Sequence, residues 1–283
     1  MRATRLRSNH VPALRMYLEQ EPDTNLFLLD LLRTRGIGNW TQEEWYAVWS
    51  PDHPDQNGAT IRGMALLIGR AAMGQPARLG VPFGDPDACE VIGARARWNG
   101  PVDMLIGPRT ASDALWRGLK GTPPTVFYDQ RLYVCREPSP GPRLPLRPAR
   151  TDEIPLIIEM AGQMMSEDLG VDPRRKEPNR HRQAIRHRVD EGRTLVGEQD
   201  GEIAFLLDVG TRRREGAQVG GTFVPPRFRG QGLSVMGMRA ACDRLLREME
   251  MVSLHVNEAN VPAVRCYQRA GFQRDVPFRL LIR

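Results

Sequence analysis

Gly221-Thr-Phe-Val-Pro-Pro-Arg-Phe-Arg-Gly-Gln-Gly-Leu-Ser234 is the most informative stretch of the chain. The strand-like run before it ends at Val224, and Pro225-Pro226 stops any further pairing because proline has no N–H to donate. A loop with Gly230 and Gly232 then runs into a helix. That arrangement suits a pyrophosphate: the glycines let the backbone approach, several N–H groups point at the anion, and the helix N-terminus adds a favourable dipole. Arg227 and Arg229 add positive charge beside it. Taken alone, a Gly-x-Gly after a strand also fits an ordinary tight turn.

Working outward, Glu137-Pro-Ser-Pro-Gly-Pro-Arg-Leu-Pro-Leu-Arg-Pro148 carries five prolines. Residues 137–143 therefore read as an extended linker, and a strand is expected near Leu144–Pro148. Thr151-Asp-Glu opens a helix with a plausible N-cap, and Asn179–Glu191 is a second, basic helix. Gln199-Asp-Gly201 turns between strands Arg193–Glu198 and Glu202–Val209. A strand Ala217–Val224, a helix from about Gly232 to Met249, a strand Val252–Val256, a helix Val261–Ala270 and a last strand Phe278–Ile282 follow. The order is β-α-α-β-β-β-α-β-α-β.

A second motif lies downstream of the glycine loop. Arg227-Phe-Arg-Gly-Gln-Gly232 matches the R/Q-x-x-G-x-G/A signature of the GNAT superfamily, and Asn257-Glu-Ala-Asn-Val-Pro-Ala-Val-Arg-Cys-Tyr-Gln-Arg-Ala-Gly-Phe272 resembles its N-x-x-A-x-x-x-Y-x-x-x-G-F segment. The second half of the chain thus resembles an acyl-CoA N-acyltransferase. The resemblance implies that the N–H groups of Arg229, Gly230, Gln231, Gly232, Leu233 and Ser234 hold the CoA pyrophosphate. Val224 would pair with the pantetheine arm through its backbone and polarise the acyl carbonyl. Asn260 would contact the CoA arm, and Tyr267 would be the general acid for the departing thiolate. A core tyrosine that packs its helix on the sheet is the competing reading of Tyr267.

The sequence departs from the family over the general base. Gln218 stands where many members carry a glutamate, and Gly220, on the same face, has no side chain. Asp208, Glu167, Asp168 and His255 are the available substitutes, and the base stays unassigned. Cys266 is next to Tyr267, but no histidine is placed to activate it, which disfavours a covalent intermediate.

The first half follows the same order at lower definition. Strands are expected at Arg2–Arg7, Trp45–Trp49, Gly63–Ile68, Ala77–Val81, Val102–Ile106 and Thr125–Val134, with helices at Val11–Gln20, Leu26–Arg35, Asp85–Trp98 and Ser112–Leu119. Its loop after Ala77–Val81 reads Pro82-Phe-Gly-Asp-Pro-Asp87, with no arginine and two aspartates that would repel a pyrophosphate. The half resembles a degenerate GNAT domain, as in tandem GNAT proteins with one catalytic half. The expected fold class is therefore α/β, two tandem GNAT-like domains, each a twisted mixed sheet flanked by helices. The expected boundaries are 1–136, a linker 137–143, and a catalytic domain 144–283.

Composition sets limits. The net charge of +6 comes almost wholly from arginine, since Lys120 and Lys176 are the only lysines, and it is spread along the chain with no basic tail. Nucleic acid is not the expected partner. Arg174–Arg193 holds most of one basic run, which reads either as a solvated helix face or as a wall for an acidic acceptor. Trp40, Trp45, Tyr46 and Trp49 read as core. Cys89, Cys135, Cys242 and Cys266 have neither metal-ligand spacing nor a disulfide pattern, so neither a metal nor a disulfide is expected. No apolar run is long enough to cross a bilayer, and the expected location is cytoplasmic.

Together these features predict an N-acetyltransferase that passes an acetyl group from acetyl-CoA directly to the amine of a small molecule or peptide. Two alternatives remain: a CoA-binding regulatory or scaffold protein impaired in catalysis, and a tandem transferase that uses aminoacyl-tRNA. The sequence names neither the acceptor nor the oligomeric state.

Overall fold

The computed structural model describes residues 1–38, 42–50, 60–69, 78–97, 100–121 and 123–283. The chain divides into two compact units. One comprises Met1–Leu132, His255–Asn260 and Asp275–Arg283, and the other Tyr133–Leu254 and Val261–Arg274.

The first unit runs β1 (Ala3–Arg5), α1 (Val11–Leu18), α2 (Pro22–Arg35), β2 (Glu43–Trp49), β3 (Ile61–Ile68), β4 (Leu79–Gly84), α3 (Pro86–Ala96), β5 (Met104–Pro108), α4 (Arg109–Leu119) and β6 (Val126–Cys135), whose last residues enter the second unit. Strands β1 to β4 pair antiparallel, and β4 pairs parallel with β5 at Leu79↔Met104 and Gly80↔Leu105. Strand β3 shows why the sheet lies between two helical layers. Met64, Leu66 and Ile68 pack with Leu14, Leu18 and Leu28 on one face, while Ala65 and Leu67 pack with Ile92 and Leu115 on the other. Side chains alternate across a strand, so a run apolar at every position must be covered on both faces. Trp45 and Tyr46 are fully buried, and Trp49 packs against the first of these cores; Trp40 lies outside the described residues, as do Ala77 and Trp98.

The second unit repeats the order: β7 (Leu146–Pro148), α5 (Ile154–Leu169), α6 (Pro173–Lys176), α7 (Pro178–Asp190), β8 (Thr194–Gln199), β9 (Glu202–Arg213), β10 (Gly216–Phe223), α8 (Leu233–Leu245), β11 (Val252–Asn257), which passes into the first unit at His255, and α9 (Val261–Ala270). The hairpin between β8 and β9 has Asp200 and Gly201 both at positive φ, 53° and 80°. Two such residues make the primed turn whose twist matches that of paired strands. Ile157, Ile185 and Val189 of α5 and α7 pack on Val196, Leu206 and Phe223. On the opposite face α8 lies so close that a Cβ on Gly237 would sit 2.8 Å from the Phe205 ring.

Three expectations change in detail. Thr151–Glu153 is a 3-10 turn leading into α5, because the Glu153 carboxylate accepts the Arg150 N–H at 2.7 Å and closes the turn. Pro82–Gly84, expected in a loop, completes β4, where Pro82 and Phe83 pair with Ala65 and Met64. The strand expected to reach Val224 ends at Phe223, since proline at 225 takes the chain out of the ladder. The proline-rich stretch 137–143 has neither helix nor strand, yet it is fastened: Ser139 donates its N–H to Ala270 O at 3.0 Å, and Arg143 pairs with Asp243 at 2.7 Å.

The last strand, β12 (Arg274–Ile282), pairs antiparallel with β5 from Phe278↔Pro108 to Ile282↔Met104. The C-terminal end of the sequence is therefore a strand of the first unit.

Candidate acyl-CoA site

In the second unit β10 and β11 pair parallel at Ala217↔Val252 and Gln218↔Ser253. Beyond Gln218, β10 keeps its pairing only with β9, and its register slips between Gly220 and Phe223. A bulge of this kind bends a strand away from its neighbour. Val224 follows immediately and is buried.

The loop then turns through Gly230 and Gly232, both at φ 79°. A side chain at either position is strained in this left-handed conformation, although nothing lies within 4 Å of the added Cβ. Arg229 to Gly232 are exposed, Ser234 is half-buried and Leu233 anchors α8 in the core. No side chain caps α8. Its first N–H groups thus face outward with the positive end of the helix dipole behind them, the arrangement that binds a phosphate.

The two arginines are engaged. Arg229 donates through Nε to Val224 O at 3.0 Å, and its Nη2 meets Glu167 Oε2 at 2.7 Å; its guanidinium also lies over the Phe223 ring. Arg227 pairs with Glu202 and stacks on Phe228. Gln231 accepts from the Gln199 side chain at 2.8 Å.

On α9, burial pushes the Tyr267 phenol above the ordinary range, with Cys266 and Asp168 adding to the rise and the Thr222 hydroxyl of β10 opposing it. Next to it, burial pushes the Cys266 thiol up to about 11, against the pull of a hydrogen bond with Ser234. The structure therefore brings Val224, the 229–234 loop and Tyr267 into one unit. Asn260 stands ahead of α9, in a stretch that counts with the first unit, its N–H donated to Asn257 O at 2.9 Å. Thr222 had no place in the sequence reading: it lies in the bulged end of β10, directly after Gly221 at φ 61°.

The candidate bases differ in surroundings. Gln218 is half-buried on β10, and space is open in front of Gly220. Asp208, opposite Gly220, accepts from Thr194 Oγ1 at 2.7 Å and pairs with Arg188 at 3.1 Å; burial raises its carboxyl against the Arg188 charge. Asp168 is raised by desolvation first and by Glu167 second, with Arg229 opposing. Glu167 is committed to Arg229. His255, in the first unit against Phe278, is driven down to about 4 by burial. On α7, Arg182 and Arg186 are exposed, and Arg180 pairs with Glu177.

The corresponding place in the first unit is built differently. β4 passes directly into α3 through Asp85, whose Oδ1 accepts the N–H groups of Asp87 at 2.8 Å and Ala88 at 3.3 Å. This helix N-terminus already has its own anion. Pro82 of β4 has no N–H to offer, and Gly107 of β5 is so close that a Cβ there would be 2.8 Å from Pro82 O.

Among the described residues no group of side chains is arranged to hold a metal ion, and no helix is long and apolar enough to cross a membrane. Residues 159–272 match the family model described as Acetyltransferase (GNAT) family. A comparison with curated proteins gave no match. Among solved structures, the chain is similar to a GCN5-related N-acetyltransferase from Sphaerobacter thermophilus, with TM-score 0.62 and 14% identity over 99% of this chain and 95% of that one. A GNAT-family acetyltransferase from Colwellia psychrerythraea gives TM-score 0.58 and 11% identity over 100% of both chains. A tandem GNAT protein from the clavulanic acid biosynthesis pathway gives 0.55 and 15% over 99% and 98%. At these identities the likeness is one of fold. Residues 159–272 thus form a domain of the GNAT acetyltransferase family, in a chain with the tandem GNAT fold.

Proposed function

We propose that the protein is an N-acetyltransferase, cytoplasmic, that transfers an acetyl group from acetyl-CoA to a primary amine by direct attack in a ternary complex. The observation that carries this reading is the uncapped N-terminus of α8 behind the Gly230–Gly232 turn. The N–H groups of 230–234 hold the pyrophosphate, that of Arg229 being donated to Pro226 O at 3.2 Å, and the backbone at Val224 receives the pantetheine arm and polarises the acyl carbonyl. Arg229 leaves Glu167 for the phosphates as the cofactor arrives. Asn260 contacts the CoA arm.

The amine nitrogen attacks the thioester carbonyl, the C–S bond breaks as the C–N bond forms, Tyr267 gives its proton to the departing sulfur, and the proton that the nitrogen sheds as the amide forms returns to the phenolate through solvent. A phenol held above its ordinary value stays protonated at neutral pH, which suits a donor. The Cys266 thiol, raised to about 11, is a poor nucleophile at neutral pH, which supports direct transfer. The proton of the acceptor's ammonium leaves to water or to Asp208, the carboxylate on β9 opposite Gly220.

The first unit is the degenerate partner, as the Asp85 cap and Pro82 support. The open helix terminus also favours acetyl-CoA over aminoacyl-tRNA as donor. An acceptor screen by free-thiol release tests the reading, with Tyr267→Phe as control. Turnover lost in that variant supports it; CoA binding with no turnover on any amine favours the regulatory alternative.

A further inference from the structure

At the opposite end of α8 from the glycine loop, a pocket of about 250 Å³ opens between that helix and the start of the β8–β9 hairpin. With 13 residues in α8, its two ends are about 18 Å apart, so the pocket is separate from the candidate cofactor loop. Its lining holds Arg193, Arg212, Arg244 and Arg247 against one carboxylate, Glu248. Two of the four are engaged. Arg193 reaches Glu191 at 2.6 Å and Gly210 O at 2.6 Å, and Arg212 pairs with Glu248 at 2.9 Å.

Arg244 and Arg247 are exposed, and no ion pair or hydrogen bond holds either among the described residues. This contrasts with Arg143, Arg147, Arg174 and Arg229, each of which meets a carboxylate. A helix C-terminus favours a cation close by, but four guanidinium groups around one hollow exceed that need. Leu195, Val209 and Leu245, all buried, form its floor, and the aliphatic stems of the arginines above them give the apolar part of a ligand a surface to lie along.

We propose that this pocket is a second anion site, which takes a small organic phosphate. Its dianion lies between Arg244 and Arg247, whose planar forks match phosphate oxygens, and its organic part lies over Leu195, Val209 and Leu245. The small, concave volume fits a compact ester better than an extended nucleic-acid backbone.

Calorimetric titration of the full chain with phenyl phosphate, at ionic strength held constant with sodium chloride, tests this. The expected result is saturable binding, tighter than that of inorganic phosphate and retained in Gly232→Glu. The double variant Arg244→Ala/Arg247→Ala should weaken it at least tenfold; if that variant fails to fold, Arg247→Glu replaces it. Absence of saturable binding overturns the proposal. So does a signal lost in Gly232→Glu but kept in the arginine variants, which would belong to the glycine loop. Phenyl phosphate binding no tighter than inorganic phosphate overturns the assignment to an ester.

Discussion

The Nε of Arg229 donates to the carbonyl oxygen of Val224, 3.0 Å away. This bond ties the start of the glycine loop to the end of β10, while Glu167 holds the other side of the same guanidinium. On the proposed reading, Arg229 exchanges Glu167 for the phosphates of acetyl-CoA. Both partners are substantially exposed, at 46% and 41% of their side-chain surface, so the pair contributes about 0.2–1 kcal/mol. Glu167→Gln should free Arg229 and tighten acetyl-CoA binding by about 1.5- to 5-fold, read by calorimetry; unchanged or weaker binding would show that Arg229 does not turn to the phosphates.

Tyr267 is predicted to act as a protonated phenol. Because burial raises it above the ordinary value of ~10, it loses no proton as pH rises through 7 to 9. The rate should therefore climb with pH as the acceptor amine deprotonates, with no fall from the phenol below about pH 10. Tyr267→Phe should lower kcat by about 10²-fold and leave acetyl-CoA affinity within twofold. A drop in affinity as large as the drop in kcat would instead make Tyr267 a packing residue.

Arg279 should be a stability residue of the first unit. It is 7% exposed on β12, pairs with Asp113 at 2.9 and 3.0 Å and with Asp129, and stacks on Phe127. Arg279→Ala should cost about 2–3 kcal/mol, measured by urea denaturation. For the same reason the segment 1–136 alone should not fold stably, since β5 would lose its β12 partner; a cooperative melt of that segment would contradict this.

Burial of His255 gives a separate pH signature. Its folded value is depressed to about 4, so between about pH 6.5 and 4 the unfolded chain takes up a proton that the folded chain does not. Stability should fall as pH drops through that window, and less steeply in His255→Gln. An identical slope in the variant would place the effect elsewhere.

The fold was legible in the sequence wherever local rules coincide with tertiary demand. Gln199-Asp-Gly201 reads as a turn because two adjacent positions need positive φ, and Pro225-Pro226 ends β10 within one residue of the expected place. The alternation of strands and helices in both halves gave the tandem fold. Long-range pairing was not legible: nothing in Arg274–Ile282 says that its partner is Met104–Pro108. The glycine loop was visible as a motif, but not the capture of Arg229 and Arg227 by Glu167 and Glu202, which lie on elements distant in sequence. Pro82 illustrates the limit from the other side. It reads as a loop residue by propensity, but it sits in a strand because Phe83 is drawn into the core.

Calorimetric titration of acetyl-CoA into the wild type, Gly230→Glu and Gly232→Glu tests the central claim most directly. Both glycines lie at φ 79° beside an open helix terminus, so a glutamate there adds backbone strain and negative charge where the pyrophosphate belongs. Micromolar binding by the wild type, lost in both variants while their melting remains cooperative, is the predicted result. A folded wild type that does not bind acetyl-CoA, or variants that bind it as well as the wild type does, would contradict the assignment.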